Sequence, residues 1–376
     1  MQTFLNVKRS ASLSFFLLIS TIGGLAILSS TMSKTPVLPL FARALGASPA
    51  EIGWIVMAST VPGILISFPA GALSDYLDRR AILYAALFVF ATAIFGTVAN
   101  AAIAERYVQD RAQKLSAYSS ITIVGRSIAP FLGGLLISLA SFRMVYLACG
   151  ISAVLALALG FLLPYESKPQ AQRHRRAGFL ASLGTVLKDR YILATSLVEA
   201  ALYLVFGAIE AFLTLYAASK GIPPWGIGTI LGAQLLSIVL LKPLMGMLSD
   251  RVSRELLIVP GMAGAGICVL LLTHFPNLLG LIALMSIFGI GFAAATSSTS
   301  ALVADLTRNG AYGASMGVLG TIMDVGQSIG PVLTGWVVGQ RGYATAFSLL
   351  AAILLVVALA FGVLMWLRSD RASETG

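Results

Sequence analysis

Two acidic residues inside a long apolar run are the positions of this chain best suited to chemistry. Glu199 and Glu210 lie eleven residues apart, which is three helical turns plus about 20°, so a helix would place both on one face. An enclosed carboxylate can exchange a proton or bind a substrate, and Glu199 lies deeper in its run than Glu210. The alternative for Glu199 is a structural hydrogen bond to a neighbouring helix.

Other polar residues within apolar runs are further candidates for binding a substrate or a proton. Charged ones are costly in lipid and need a partner or water, whereas hydroxyls can also serve hydrogen bonds between helices. A lysine near the end of a run can instead extend its charge to the membrane surface, which is the alternative for Lys34 and Lys242. The candidates are Arg126, Asp324, Lys34, Thr296 and Ser297.

The elements that must position these residues are membrane-spanning helices. With 58% hydrophobic and 11% charged residues and a mean hydropathy of +0.91, the chain has too few polar groups to cover a water-exposed surface. No strand-type alternation occurs, so the sequence predicts an all-helical membrane protein. Apolar runs of roughly 20 residues or more number eleven, at 13–43, 51–75, 81–104, 114–138, 142–164, 191–216, 225–247, 256–275, 277–303, 311–338 and 343–367.

The basic residues indicate how the chain is oriented. Eighteen of the 25 lysines and arginines fall on the side that holds both termini and the polar stretch 165–190, against four on the opposite side. Because basic residues favour the cytoplasmic side, we expect both termini in the cytoplasm of a bacterial-type inner membrane. The net charge of +10 is therefore an orientation signal, and no nucleic-acid partner is expected.

Two internal repeats divide the chain into related halves. Residues 69–75 match residues 243–250, and residues 125–134 match residues 326–335. The second pair has small residues for close helix contact and a proline that bends or loosens the helix. Its predicted packing residues are Gly125, Pro130, Gly134, Gly326 and Pro331.

The repeats predict two helical bundles with a linker between them. The bundles would be residues 1–164 and 191–376, and residues 165–190 would be a cytoplasmic linker. No spacing of histidine, cysteine or acidic residues is typical of a metal site, and no nucleophile or phosphate-binding loop is visible. We therefore expect no metal, no cofactor and no enzymatic activity in a monomer that contacts the lipid bilayer.

Three segments give the chain a family resemblance. Residues 71–80 resemble the loop signature of the major facilitator superfamily, residues 125–134 its antiporter signature, and residues 36–39 the first-helix motif of its drug:proton antiporters. The resemblance implies a two-bundle fold of twelve helices and a secondary transporter that exports a drug-like or small organic compound, with protons as a possible exchange partner. An importer of a metabolite on the same fold is the alternative.

The resemblance also implies a gate on the cytoplasmic side. The loop signature and its repeat would close that side through charge pairing and helix-end contacts. The alternative is that these residues only fix topology. The gating residues are Gly71, Asp75, Arg79, Arg80, Gly246, Asp250, Arg251 and Arg254.

The first half is shorter than the second. Asp75 and Pro130 are 55 residues apart, whereas their counterparts Asp250 and Pro331 are 81 apart. The difference of 26 residues is about one membrane span, so eleven apparent spans would stand for a family pattern of twelve. The sequence places the shortening near 87–94 and leaves open a protein that does not transport.

Overall fold

The chain is helical throughout the part that its computed structural model describes. Those residues are 2–73, 95, 98–100, 102–103, 106–107, 110–163, 190–306 and 312–374, and they contain no strand. The helices are α1 Gln2–Lys34, α2 Val37–Ala44, α3 Pro49–Leu73, α4 Arg111–Leu139, α5 Phe142–Phe161, α6 Arg190–Ser219, α7 Pro224–Ser249, α8 Glu255–Leu271, α9 Leu278–Leu306 and α10 Tyr312–Glu374. This confirms the predicted all-helical fold.

Seven helical stretches of the described residues are long and apolar enough to cross a membrane. The longest, Leu319–Leu367, has 49 residues, or roughly 70 Å at 1.5 Å per residue, which is more than twice the apolar thickness of a bilayer. It is interrupted at Gly342, whose φ of 80° is a conformation that glycine adopts without steric cost. Each predicted run except 81–104 overlaps a described helix, and most of 81–104 lies outside the described residues.

The contacts between residues divide the chain into two compact units. Unit 1 comprises Met1–Leu38 and Ala58–Arg173, and unit 2 comprises Pro39–Met57 and His174–Gly376. The sequence assigned all of 1–164 to the first bundle, whereas in the structure Pro39–Met57 packs with unit 2. The predicted linker 165–190 lies almost entirely outside the described residues.

The core of unit 1 forms where α1 meets the residues between 95 and 107. Phe15 and Ile19 on α1 are fully buried in one cluster with Phe95 and Ile103. The Arg106 guanidinium lies 4.4 Å from the centre of the Phe15 ring, a cation–π contact that holds this segment to the N-terminal half of α1. The described residues of this segment therefore pack as part of the bundle.

In unit 2 the main contacts join α6 to α10 and α7 to α9. Glycines make the first of these contacts possible. A Cβ atom on Gly326 or Gly330 would collide with the carbonyl oxygens of Ala200 and Leu204 on α6. The two backbones therefore touch directly, as small residues allow between membrane helices.

The segment Pro39–Met57 reaches unit 2 by the same kind of contact. A Cβ atom on Gly53 would lie 2.5 Å from the Pro331 carbonyl oxygen, and Arg43 Nη1 donates to the Leu215 carbonyl over 3.0 Å. The start of α3 is fixed by a capping box in which Ser48 N–H donates to Glu51 Oε2 over 2.7 Å and Glu51 N–H donates to Ser48 Oγ over 3.4 Å.

Candidate functional site

Glu199 of α6 is buried against α9, and among the described residues one hydrogen bond holds its carboxyl group. Its side chain is 3% exposed, and the hydroxyl of Thr299, itself fully buried, lies 2.6 Å from Glu199 Oε1. The second carboxyl oxygen, Oε2, is also buried and has no hydrogen-bond partner among the described residues. Because buried polar atoms are normally paired, this oxygen marks a place where a proton, water or substrate group can bind.

Thr299 has a second acceptor within reach. Its hydroxyl lies 3.2 Å from the Thr296 carbonyl oxygen, one turn earlier on α9. A hydroxyl carries one proton and can also accept, so it can donate to only one of these two oxygens at a time. The geometry thus permits two hydrogen-bond arrangements around Glu199 without movement of either helix.

Lys242 on α7 lies within electrostatic reach of Glu199. Its side chain is exposed, while its backbone carbonyl lies 3.2 Å from Ser297 Oγ on α9. The single proton of that hydroxyl is shared with the nearer Ala293 carbonyl. The contact shows that α7 and α9 approach each other two residues before Thr299.

Aromatic rings separate Glu199 from Glu210. Tyr203 and Phe206 lie between the two acids on the same face of α6, at the helical spacings i+4 and i+7 from Glu199. Both rings lie 5.0 Å, centre to centre, from Phe292 on α9. At about 1.5 Å per residue the two carboxylates are roughly 16 Å apart along the helix, so the structure does not bring them together.

Glu210 has its own surroundings on α6. Its carboxylate lies 3.5 Å from the amide nitrogen of Gln327 on α10, at the outer limit of a hydrogen bond. Unlike Glu199 it is only partly buried. The environments of the two acids therefore differ in burial and in the chemistry of the neighbouring side chain.

The remaining charged candidates lie on other helices. Asp324 on α10 is half-buried, and its carboxylate makes no hydrogen bond or ion pair with another described residue. Arg126 on α4 is exposed. Lys34 Nζ, at the end of α1, donates to the Ser59 carbonyl of α3 over 2.9 Å, so its ammonium is used within unit 1.

The two hydroxyls predicted as binding candidates, those of Thr296 and Ser297, bond mainly to their own helix. Thr296 Oγ1 donates to the Phe292 carbonyl over 2.8 Å, and Ser297 Oγ lies 2.7 Å from the Ala293 carbonyl. The hydroxyl that reaches Glu199 belongs to Thr299. The dense run of hydroxyls from 296 to 300 signals its presence in the sequence, but selecting Thr299 requires knowing which face of α9 meets α6.

The C-terminal gating motif is centred on Arg254. Its guanidinium donates to Asp250 over 2.8 Å, to Asp305 over 3.2 Å, and to the backbone carbonyl and hydroxyl of Ser249. The hydrogen bond to Asp250 raises the pKa of Arg254, which therefore stays charged. All these partners belong to unit 2, where they join the ends of α7 and α9 to the start of α8.

The other motif residues are distributed as follows. Asp75, Arg79 and Arg80 lie outside the described residues, whereas Gly71 is in the last turns of α3. Neither Gly246 nor Arg251 makes a close contact that fixes a role: Gly246 has open space where a Cβ would be, and Arg251 is exposed.

The packing motif of unit 1 also makes a close backbone contact. A Cβ atom on Gly125 of α4 would lie 2.9 Å from the Gly24 carbonyl oxygen on α1. Pro130 lies inside α4, as Pro331 does inside α10, and Gly134 is buried. In both units the repeated motif therefore lies within a helix that has glycine contacts with its neighbours.

The described residues form two helical units with several helices long enough to cross a membrane, and one unit contains a buried acid. These features define the class, a polytopic helical membrane protein. Comparison with known sequences identifies the family. The model of the Major Facilitator Superfamily matches residues 19–100, 85–228 and 200–376. The chain therefore belongs to the Major Facilitator Superfamily, a family of membrane transporters, and is a multi-pass membrane protein.

Its relatives include transporters of different cargo. An uncharacterised MFS-type transporter of Methanocaldococcus jannaschii is 22% identical, covering 89% of this chain and 93% of its own length. The staphyloferrin B transporter of Staphylococcus aureus is 23% identical, covering 90% and 88%. The multi-drug resistance efflux pump PmrA of Streptococcus pneumoniae is 24% identical, covering 83% and 86%.

Solved structures show the same fold. The nucleoside transporter NupG superposes with a TM-score of 0.74 over 93% of this chain and 99% of its own, at 16% identity. A bacterial homologue of the lysosomal transporter Spinster superposes with a TM-score of 0.73 over 94% and 96%, at 15% identity. At these identities the likeness concerns the fold alone.

Proposed function

We propose that the protein is a secondary active exporter of a drug-like or small organic compound, working by alternating access in exchange for protons. The observation that carries the proton exchange is the buried carboxyl of Glu199, with one oxygen bonded to Thr299 and the other without a partner among the described residues. A group in this position can take up and release a proton as its surroundings open to one side of the membrane and then to the other.

The direction of transport is supported by the relatives. One is described as a multi-drug resistance efflux pump, and the antiporter-type signature at 125–134 also favours export. In this proposal Arg126 and Asp324 contribute to substrate binding, and Arg254 with its partners stabilises the cytoplasmic ends of three helices. The protein acts as a monomer in a bacterial-type inner membrane with both termini in the cytoplasm.

The test uses the purified protein in proteoliposomes with the fluorescent organic cation ethidium as the probe. A pH gradient should drive ethidium against its concentration gradient, whereas liposomes without protein should not accumulate it. Glu199→Gln should abolish this pH-driven movement and leave ethidium counterflow, which needs no net proton transfer, measurable.

The matched control is Glu210→Gln, the same substitution on the same helix face. It should keep the pH-driven movement, because the proposal gives Glu210 no part in proton exchange. Unchanged pH dependence in Glu199→Gln would remove Glu199 from the mechanism. No movement of ethidium under any gradient would contradict export of this class of compound.

A further inference from the structure

The hydroxyl of Thr299 lies between two oxygens that compete for its proton. One is Glu199 Oε1 at 2.6 Å and the other is the Thr296 carbonyl oxygen at 3.2 Å. All three groups belong to buried residues. A buried carboxyl that changes protonation needs a neighbour that can accept when the carboxyl is protonated and donate when it is ionised.

We propose that Thr299 is a positioning residue that keeps Glu199 hydrogen-bonded in both protonation states, with Lys242 as the counter-charge of the ionised state. This inference rests on the proposed role of Glu199 in proton exchange. In the ionised state the Thr299 hydroxyl donates to Glu199 Oε1. In the protonated state Glu199 donates its proton to Thr299 Oγ1, and the Thr299 proton turns to the Thr296 carbonyl.

The exchange balances without any further group. One proton is added to the carboxyl, one hydroxyl rotates, and the number of hydrogen bonds rises from one to two. The bond to the Thr296 carbonyl is a shared one, because that oxygen also accepts from Ser300 Oγ over 3.0 Å and, as part of α9, from the Ser300 N–H. Neither α6 nor α9 has to move, so the switch is local to these side chains.

Lys242 is the basic residue on the elements packed against α6 that can serve as the counter-ion of Glu199. On α7, α9 and α10 the charged residues whose side chains the structure describes are Lys242, Asp305, Asp324 and Arg341. Arg43 of α2 bonds to Leu215 near the other end of α6, and Glu210 lies farther along α6 itself. Of these, the charge of Lys242 acts on Glu199. The Lys242 backbone carbonyl lies 3.2 Å from Ser297 Oγ, two residues before Thr299 on α9, so the Lys242 side chain starts beside the part of α9 that carries Thr299.

The experiment titrates Glu199 directly by infrared spectroscopy of the reconstituted protein. The band of its protonated carboxyl is identified by its loss in Glu199→Gln. Thr299→Val keeps the shape of the side chain and removes the hydroxyl. The ionised form then loses one charge-assisted bond, whereas the protonated form loses two neutral ones, of which the 3.2 Å bond to the Thr296 carbonyl is long and weak. We expect the titration midpoint to move to higher pH by about one unit.

Three further variants separate the effect of the Thr299 hydroxyl from the effects of side-chain volume and of the Lys242 charge. Thr299→Ser keeps the hydroxyl and should retain the wild-type midpoint. Lys242→Gln should move the midpoint upward, and Lys242→Arg should restore it. Equal midpoints for Thr299→Val and Thr299→Ser would overturn the role of Thr299, and no shift in Lys242→Gln would overturn that of Lys242.

Failure of this inference can be told from failure of the proposed function. The infrared titration needs no transported substrate, so it reports on Glu199 even if ethidium is not moved. Should Thr299→Val fail to fold, Thr299→Ala tests the same loss of the hydroxyl in a smaller side chain. A proton-driven ethidium signal that disappears in Glu199→Gln, together with an unshifted titration in the Thr299 variants, would leave export standing and remove Thr299.

Discussion

Replacing Gly330 with alanine should destabilise unit 2, because the added methyl group has no space. Its Cβ would collide with the Leu204 carbonyl oxygen and lie 2.9 Å from the Leu204 carbonyl carbon and 3.2 Å from the Ala208 nitrogen. These are backbone atoms, so α6 and α10 must move apart to relieve the contact. Overpacking of this kind costs about 1–3 kcal/mol, more than the roughly 1 kcal/mol that alanine gains over glycine within a helix.

The assay uses the buried free thiol of Cys268 on α8. In a Cys149→Ser background, a thiol-reactive fluorescent dye should label the protein in detergent only as unit 2 unfolds on heating. After the gain from alanine's helix preference is subtracted, a net loss of up to about 2 kcal/mol corresponds to a fall of up to roughly 8 °C in the labelling midpoint. Gly339→Ala is the matched control on the same helix, because nothing lies within 4 Å of its Cβ position.

The control should hold the midpoint or raise it slightly, since alanine favours the helix where there is space. The reasoning fails if Gly330→Ala melts at the same temperature as Gly339→Ala. It also fails if Gly330→Ala is the more stable of the two, because then α6 and α10 do not touch at this glycine.

Three further predictions concern topology, the shortened half and the Arg254 contacts. A cysteine introduced in 165–190 should resist an impermeant maleimide applied to intact cells and react in inverted vesicles; ready labelling from outside would reverse the orientation. Inserting about 26 residues near 87–94 should raise the ethidium transport rate in proteoliposomes, and equal rates would mean that the shortened form works as it is. Arg254→Gln should lower the thermal midpoint by only a few degrees, because its partners Asp250 and Asp305 are 71% and 57% exposed and exposed ion pairs contribute at most about 1 kcal/mol; a fall as large as that of Gly330→Ala would contradict this.

The helices could be predicted from the sequence because lipid imposes a length on every apolar run. The prediction was coarser where a run contains a local break. The run 13–43 reads as one span, whereas the structure divides it at Thr35 and Pro36 into α1 and α2. Proline cannot donate within a helix, and a break of this kind leaves the hydropathy of the run unchanged.

The contacts of Pro39–Met57 could not be predicted, because they join residues far apart in the chain. Gly53 and Gly335 each lie against backbone of the other segment, at Pro331 and Pro49 respectively. A single sequence shows glycines in helices but not which backbone they approach. The internal repeats predict that residues 39–57 belong to the first bundle, whereas the observed contacts place them in unit 2.

Only part of the candidate site could be predicted, because its contacts also join residues that are far apart in the chain. Glu199 stands out because an acid in an apolar run is costly and needs a reason. Its partner is one hydroxyl among several between 296 and 300, and their order along the chain does not say which one faces α6. Helical spacing alone places Tyr203 and Phe206 between the two acids on α6. The ring that both of them contact, Phe292, lies on α9, and helical spacing does not show that contact.

The packing of unit 2 determines which helix contacts can respond to the protonation of Glu199. The pair α6 and α10 meets backbone to backbone at Gly207, Gly326 and Gly330, so relative sliding of these helices would create steric overlap at several points. The contacts of Glu199 to α9 and α7, by contrast, run through the Thr299 side chain and the charge of Lys242. A change in protonation therefore alters the side-chain contacts of α6 with α9 and α7 while the α6–α10 pair stays fixed. If proton exchange drives a conformational change, that change should begin at the α6–α9 contact.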